Sequence, residues 1–133
     1  MPPDLHELGR WIEKANHDLQ TAVAVMELPC PVTDTAAFHC QQAVEKLLKA
    51  YLYWRERDFE RVHDLRLLNL ECAIFDDSFG LLTDRVAPLT AYAVRYRYPG
   101  PCDPTGDDVE NAIRIAKDVM EFVLDRLPRS LRS

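Results

Sequence analysis

The chain has 133 residues, of which 47% are apolar and 29% are charged. This balance fits one globular domain spanning residues 1–133 and is too apolar for a disordered chain. The formal net charge of −6 argues against a protein that wraps nucleic acid without sequence preference, because such binding needs a net basic surface. No stretch approaches the roughly 18 uninterrupted apolar residues of a membrane span, and the start of the chain does not resemble a secretion signal, so we expect a cytoplasmic protein without membrane contact.

The first half of the chain predicts two long helices. From Asp4 to about Leu28, apolar residues recur every three or four positions, which is typical of a helix with one buried face. Pro29 ends this helix, because the stretch LPCPVTD cannot continue it through two prolines. Asp34 or Thr35 can then cap a second helix at residues 36–54, AAFHCQQAVEKLLKAYLYW.

The second half predicts three more helical segments. A third runs from about His63 to Phe75, and a fourth covers residues 81–98, where Pro88 is expected to cause a kink. The run YPGPCDPTGDD is a loop, and a final helix runs from near Asp107 to Pro128. Because no segment shows the period of a strand, we predict an all-α fold, an antiparallel up-and-down bundle of four main helices plus a short fifth.

The second predicted helix divides its side chains among three faces. At about 100° per residue, one arc holds the predicted core residues Ala36, Cys40, Ala43, Val44, Leu47, Tyr51 and Trp54. Glu45 and Lys49 lie opposite this arc, where we expect an i,i+4 pair facing solvent. On the flank between the two faces lie His39, Gln42, Lys46 and Tyr53. Periodicity alone leaves open whether this flank is a solvated surface or a binding site.

The cysteines and histidines give no sign of metal chemistry. No C-x-x-C pair occurs among Cys30, Cys40, Cys72 and Cys102, so we expect reduced thiols in or near the core. His6 and His17 have no clustered acids or thiols around them. We therefore predict no metal site.

Four stretches resemble the HEPN family, named for nucleotide binding in higher eukaryotes and prokaryotes. They are EKANHDLQTAVAVM in the first predicted helix, FHCQQAVEKLLKAYL in the second, HDL at residues 63–65 and RYP at residues 97–99, and the resemblance spans about residues 10–125. It implies a helical bundle of this length that is commonly dimeric and, in bacteria and archaea, often works beside a minimal nucleotidyltransferase. Several members are RNases, in which an arginine at the end of a late helix is followed after four to six residues by a histidine, and two such pairs meet across a dimer.

The sequence departs from this RNase pattern at the catalytic position. Four to six residues after Arg95 or Arg97, the chain holds Gly100, Pro101, Cys102, Asp103 and Pro104. None of these is a base with a pKa near neutrality. Arg57 and His63 have the required spacing, but they lie in the loop before the third predicted helix. There, Asp64 or the His63 ring can instead cap that helix.

Together, the resemblance and this departure predict a non-catalytic HEPN-type module that binds a nucleotide or an RNA end and associates with a minimal nucleotidyltransferase. One form of this association is a toxin–antitoxin pair, of which this chain would be half. The predicted nucleotide- or phosphate-binding residues are His39, Gln42, Lys46, Lys49, Arg95 and Arg97. Arginine and lysine suit phosphate. No catalytic residue and no cofactor is predicted.

Alternatives stay open for the function and for single residues. One is an RNase with a degenerate active site that uses Arg57, His63, Arg95 or Arg97, and another is a protein-interaction module without a ligand. Arg97 could also pair with Asp103 or Asp107 to fasten the loop. We expect a homodimer or heteromer because clustered aromatic residues are enriched at interfaces, although a bundle could instead bury the cluster Tyr92, Tyr96 and Tyr98.

Overall fold

The computed structural model describes residues 2–59, 61–95, 99 and 102–132, with the backbone alone for Arg95. All regular secondary structure in these residues is helical, which confirms the predicted fold class. The α-helices are α1 (Leu5–Met26), α2 (Thr33–Trp54), α3 (Leu65–Phe75), α4 (Thr83–Val86), α5 (Thr90–Arg95) and α6 (Gly106–Leu124), with 3₁₀ segments at Asp77–Leu82, Ala87–Leu89 and Arg129–Leu131. Within the described ranges, no helix is both long enough and apolar enough to cross a membrane.

Local capping chemistry sets the start of several helices. The Asp64 side chain accepts hydrogen bonds from the backbone N–H groups of Arg66 and Leu67, which confirms Asp64 as the cap of α3. A reciprocal pair of hydrogen bonds between Thr105 and Asp108 starts α6. By contrast, α2 begins without a side-chain cap.

The predicted start of α2 at residue 36, with Asp34 or Thr35 as its cap, is therefore wrong. The helix begins at Thr33 instead. Nothing after Pro31 opposes helical geometry, so the helix forms as soon as the chain has passed that proline.

The predicted fourth helix is divided. The 3₁₀ turn Ala87–Leu89 contains Pro88 and separates α4 from α5, so the interruption falls where the missing N–H of proline predicts it. The continuation through residues 96–98 lies outside the described residues.

α2 is the central helix, because α1, α3, α5 and α6 all pack against it. Its predicted core arc is buried, apart from the half-buried Trp54. The prediction that Glu45 and Lys49 face solvent is wrong: these residues are only 6% and 7% exposed. The connection from residue 55 to residue 64 brings Phe59 and His63 back against this face of α2, and a helical wheel cannot anticipate that covering.

An aromatic cluster packs around Phe79 in the core. The Phe79 ring lies 4.6 Å from Tyr51 and 4.9 Å from Phe122, measured between centroids. Arg126 stacks on Phe122 and pairs with Asp76 at 2.8 Å. Hydrogen bonds from Ser78, followed by Arg126, hold the pKa of Asp76 below its ordinary value. This cluster fastens the 3₁₀ segment after α3 to the end of α6.

Candidate functional site

Glu45 is the centre of a buried polar cluster on α2. Its carboxylate accepts hydrogen bonds from Gln41 Nε2 at 3.0 Å and from Lys49 Nζ at 3.1 Å, and His63 Nδ1 lies 3.1 Å away. Gln41 is fully buried. Since a buried charge is tolerated only when it is paired and hydrogen-bonded, Glu45 and Lys49 depend on each other, and the predicted i,i+4 pair exists as a buried pair.

The cluster continues through Gln42 to α1. Gln42 Nε2 donates to Gln41 Oε1 at 2.7 Å, and Lys46 Nζ lies 3.3 Å from Gln42 Oε1. Asp18 on α1 then holds Lys46 at 2.7 Å and His39 Nδ1 at 2.8 Å. One unbroken chain of polar contacts therefore runs from α1, along α2, to His63, two residues before α3. We call it the α2 polar network: Asp18, His39, Gln41, Gln42, Glu45, Lys46, Lys49 and His63.

Sequence reasoning did not single out Asp18, and it did not include Gln41 among the predicted binding residues. Asp18 lies next to Leu19 and three residues after Ala15, both of which are buried in α1. Its position beside this apolar stripe was a sign that it faces the neighbouring helix. With Asp18 present, the charge of Lys46 is already neutralised by this chain, and that of Lys49 is neutralised by Glu45.

A groove of ≈ 340 Å³ opens between α2 and α5 beside this network. Gln42, Glu45 and His63 form its polar side, while Ala93 and Val94 of α5 form its apolar side. The His63 side chain is 70% exposed. The buried network thus fixes a set of hydrogen-bonding groups at an accessible surface.

A sequence model of the HEPN domain family matches residues 8–127. The chain belongs to the HEPN family. The crystal structure of an archaeal HEPN homologue matches with a TM-score of 0.72 and 21% sequence identity, covering 90% of this chain and 96% of that chain; at this identity the likeness supports the fold alone. A comparison with curated proteins gives no match.

In this HEPN domain, the string that carries the sequence resemblance supplies most members of the α2 polar network. His39, Gln41, Gln42, Glu45 and Lys46 all belong to FHCQQAVEKLLKAYL, and all are hydrogen-bonded within the chain. Their first role is therefore to fix α2 against α1 and against the start of α3.

The six predicted binding residues do not line one common concavity. Gln42 lines the groove, Lys49 lines a separate cleft, and Lys46 lines a shallow pocket with Trp11 on α1. His39 contacts Asp18. The Arg95 side chain and all of Arg97 lie outside the described residues, so the part of the site built on these arginines stays a prediction, as does a pairing of Arg97 with the loop acids.

Arg57 and His63, which have the spacing of the RNase pair, do not contact the same group in this HEPN domain. Arg57 Nε lies 2.7 Å from Glu71 Oε2, whereas His63 contacts Glu45. The two side chains are thus engaged by different carboxylates.

The cysteines do not offer a nucleophile in the core. Burial, followed by the Asp18 charge, raises the pKa of Cys40 to about 12, and burial strongly raises the pKa of Cys72. All four thiols are free, but Cys30 and Cys102 are exposed rather than in the predicted core. In the part of the chain that the structure describes, no group of three or more His, Cys, Asp or Glu side chains is arranged to hold a metal ion.

Proposed function

We propose that this HEPN domain is a non-catalytic module that binds a nucleotide or an RNA end in the α2–α5 groove and works beside a minimal nucleotidyltransferase, as half of a toxin–antitoxin pair. The observation that supports this most is the groove itself, where the buried network orients Gln42, Glu45 and His63 toward an accessible surface. Groups held in this way lose little conformational entropy when a ligand binds.

The groove offers chemistry suited to a base. The Gln42 amide and the His63 imidazole can hydrogen-bond to a base edge, and the exposed Val94 side chain gives an apolar surface for its ring. Arg95 follows Val94 directly in the chain, and Arg97 lies two residues further on. These two arginines are the proposed partners of a phosphate that follows the base, since guanidinium groups bind phosphate in a bidentate manner.

The partner proposal follows from the family. HEPN domains commonly dimerise, and the resemblance described above implies that many small members act with a nucleotidyltransferase. We propose a homodimer that recruits such a partner. Because the protein is acidic, its phosphate site is a local patch, and binding should be modest in affinity and strongly weakened by salt.

We expect Arg95→Ala/Arg97→Ala to weaken mononucleotide binding about tenfold or more, because two charge-assisted contacts are lost. Calorimetry at low salt, with and without the partner nucleotidyltransferase, measures this change. Arg114→Ala/Arg129→Ala is the matched control, since it removes the same charge from two exposed arginines away from the groove. Equal binding by the wild type and Arg95→Ala/Arg97→Ala, or no binding by either with the partner present, would falsify the site.

A second function, RNA cleavage, is favoured by the contact between His63 and Glu45. If Nδ1 carries the proton that Glu45 accepts, Nε2 is left as a base at the groove surface. Cleavage also needs an acid to protonate the leaving oxygen, and the histidine that follows the late arginine in HEPN RNases is replaced here by residues without such a pKa.

We therefore expect the purified protein to cleave RNA no faster than His63→Ala in the absence of metal ions. The missing histidine removes acid–base assistance of roughly 10² to 10⁴-fold. A fluorogenic RNA assay compares wild type, His63→Ala and Arg97→Ala. Cleavage by the wild type that either substitution abolishes would replace the binding module with an RNase.

A further inference from the structure

A cleft of ≈ 1120 Å³, larger than the α2–α5 groove, lies where three segments of the chain meet. Trp11 comes from the first half of α1, Lys49 and Tyr53 from the end of α2, and Phe59 from the connection to α3. The cleft and the groove share no lining residue. It is therefore a separate site from the one proposed for the nucleotide.

The aromatic walls of this cleft are fixed by contacts within the chain. Trp11 and Phe59 meet edge to face, with 5.3 Å between ring centroids. The Tyr53 hydroxyl accepts a hydrogen bond from the Asp4 backbone N–H at 2.9 Å. Lys49 Nζ lies 5.8 Å from the Phe59 ring centroid, so this aromatic surface already accommodates one cation of the chain itself.

The charges of the lining do not cancel. Two of its cations are neutralised by carboxylates outside the cleft: Lys49 by Glu45 and Arg57 by Glu71. Arg61 is a third cation in the lining, whereas four carboxylates line the cleft: Asp4, Glu7, Glu56 and Asp58. Even with Asp58 and Arg61 left out of the count, Asp4, Glu7 and Glu56 make the cleft electronegative once these two internal ion pairs are counted.

Two of these carboxylates are available to a ligand. No cation of the described residues forms an ion pair with Glu7 or Glu56, and both residues are exposed. The Glu7 carboxylate accepts a hydrogen bond from the Tyr53 hydroxyl, which leaves its other lone pairs open to a ligand. The pKa of Tyr53 is consistent with negative charge in the cleft. The hydrogen bond from the Asp4 N–H lowers this pKa, but burial and the Glu7 and Asp4 carboxylates raise it by more, so the pKa lies above its ordinary value.

Aromatic faces beside the Glu7 and Glu56 carboxylates, which have no cation partner among the described residues, favour an organic cation and disfavour a phosphate. Guanidinium fits best, because it is planar, stacks on aromatic rings and binds carboxylates with two parallel hydrogen bonds. The volume exceeds what one side chain needs, so the ligand can include neighbouring backbone. We propose that the cleft binds an arginine side chain carried on a peptide segment of a partner protein.

The experiment is a calorimetric titration with three probes: acetyl-Gly-Arg-Gly-amide, its citrulline counterpart, and free arginine amide. Citrulline keeps the shape of arginine but has no charge. We expect the arginine peptide to bind at least about tenfold more tightly than the citrulline peptide, and Glu7→Gln/Glu56→Gln to weaken it by a similar factor. Glu13→Gln/Glu110→Gln is the control, with the same change in net charge at two exposed glutamates outside the lining.

Three results would overturn the proposal: no binding of the arginine peptide, equal binding of the two peptides, or equal losses in the two double variants. Free arginine amide binding as tightly as the peptide would overturn its peptide part. Displacement of the arginine peptide by adenosine monophosphate, unaffected by Arg95→Ala/Arg97→Ala, would show that the cleft is instead a nucleotide site. Circular dichroism of each variant checks that the helices are intact.

Discussion

Glu45→Ala is expected to lower the free energy of unfolding by about 3–5 kcal/mol, because it leaves a buried cation without its counter-ion. The Lys49 side chain is only 9% exposed and its ammonium pairs with Glu45. Gln41, which is fully buried, loses its acceptor in the same substitution. In a domain of this size, each kcal/mol lowers the melting temperature by about 3–5 °C, so thermal denaturation should show a decrease of about 10–25 °C. Urea denaturation measures the loss of unfolding free energy directly.

Two further variants separate the buried charge from other effects. Glu110→Ala removes an exposed glutamate of α6 and should change stability by no more than about 0.5 kcal/mol. Glu45→Leu/Lys49→Met removes both charges with side chains of similar volume and should recover part of the loss, since apolar replacement of a buried pair is often tolerated. A loss in Glu45→Ala no larger than in Glu110→Ala would mean that this ion pair is not buried in solution.

The long helices were predictable because their signals are local. α1 lies within two residues of its predicted ends, and α6 starts one residue before the predicted Asp107. Both helices cover the core with one face, so their apolar residues recur with helical period. Periodicity, prolines and capping residues contain this information without knowledge of the neighbouring helices.

The burial of α2 on a second side could have been inferred only in part. Gln41, Glu45, Leu48 and Leu52 are spaced i, i+4, i+7 and i+11, which places them on one face, about 120° around the helix from the predicted core arc. The two leucines on that face were a sign that it is covered. The covering itself comes from Phe59 and His63 in the following connection, a tertiary contact that no local pattern specifies.

The same limit applies to the candidate site. The sequence supplied most members of the polar network through the HEPN-like string, but it did not pair His39 and Lys46 with Asp18, which is 21 and 28 residues away in the chain. Without that partner, the side chains appeared free to bind phosphate. The packing of α1 against α2 determines that their nearest anion belongs to the protein.

The stretch DDSFG lies between the predicted third and fourth helices, and no helix was predicted for it. It does end α3, but it then forms the 3₁₀ segment Asp77–Leu82, in which Phe79 is fully buried. Asn69 of α3 donates a hydrogen bond to the Phe79 carbonyl at 2.8 Å. Because the neighbouring residues are typical of a turn, the sequence did not indicate that Phe79 is part of the core.

Phe79→Ala should therefore cost about 3–5 kcal/mol of unfolding free energy, the usual range for deleting a buried phenylalanine ring. The ring contacts Tyr51 of α2 and Phe122 of α6, and such aromatic pairs add about 0.5–1.5 kcal/mol beyond burial. Urea denaturation followed by circular dichroism measures the loss. Should Phe79→Ala fail to fold, Phe79→Leu keeps part of the packing and should show a smaller loss.

Leu81→Ala is the matched control for this prediction, because it lies two residues away in the same 3₁₀ segment with 79% of its surface exposed. It should change stability by no more than about 0.5 kcal/mol. Equal losses in Phe79→Ala and Leu81→Ala would show that the segment is not packed into the core.

The 3₁₀ segment leads into α4 and α5, and Thr90 of α5 accepts a hydrogen bond from the Leu65 N–H at 3.0 Å. The packing of Phe79 therefore also helps to place the α5 side of the groove.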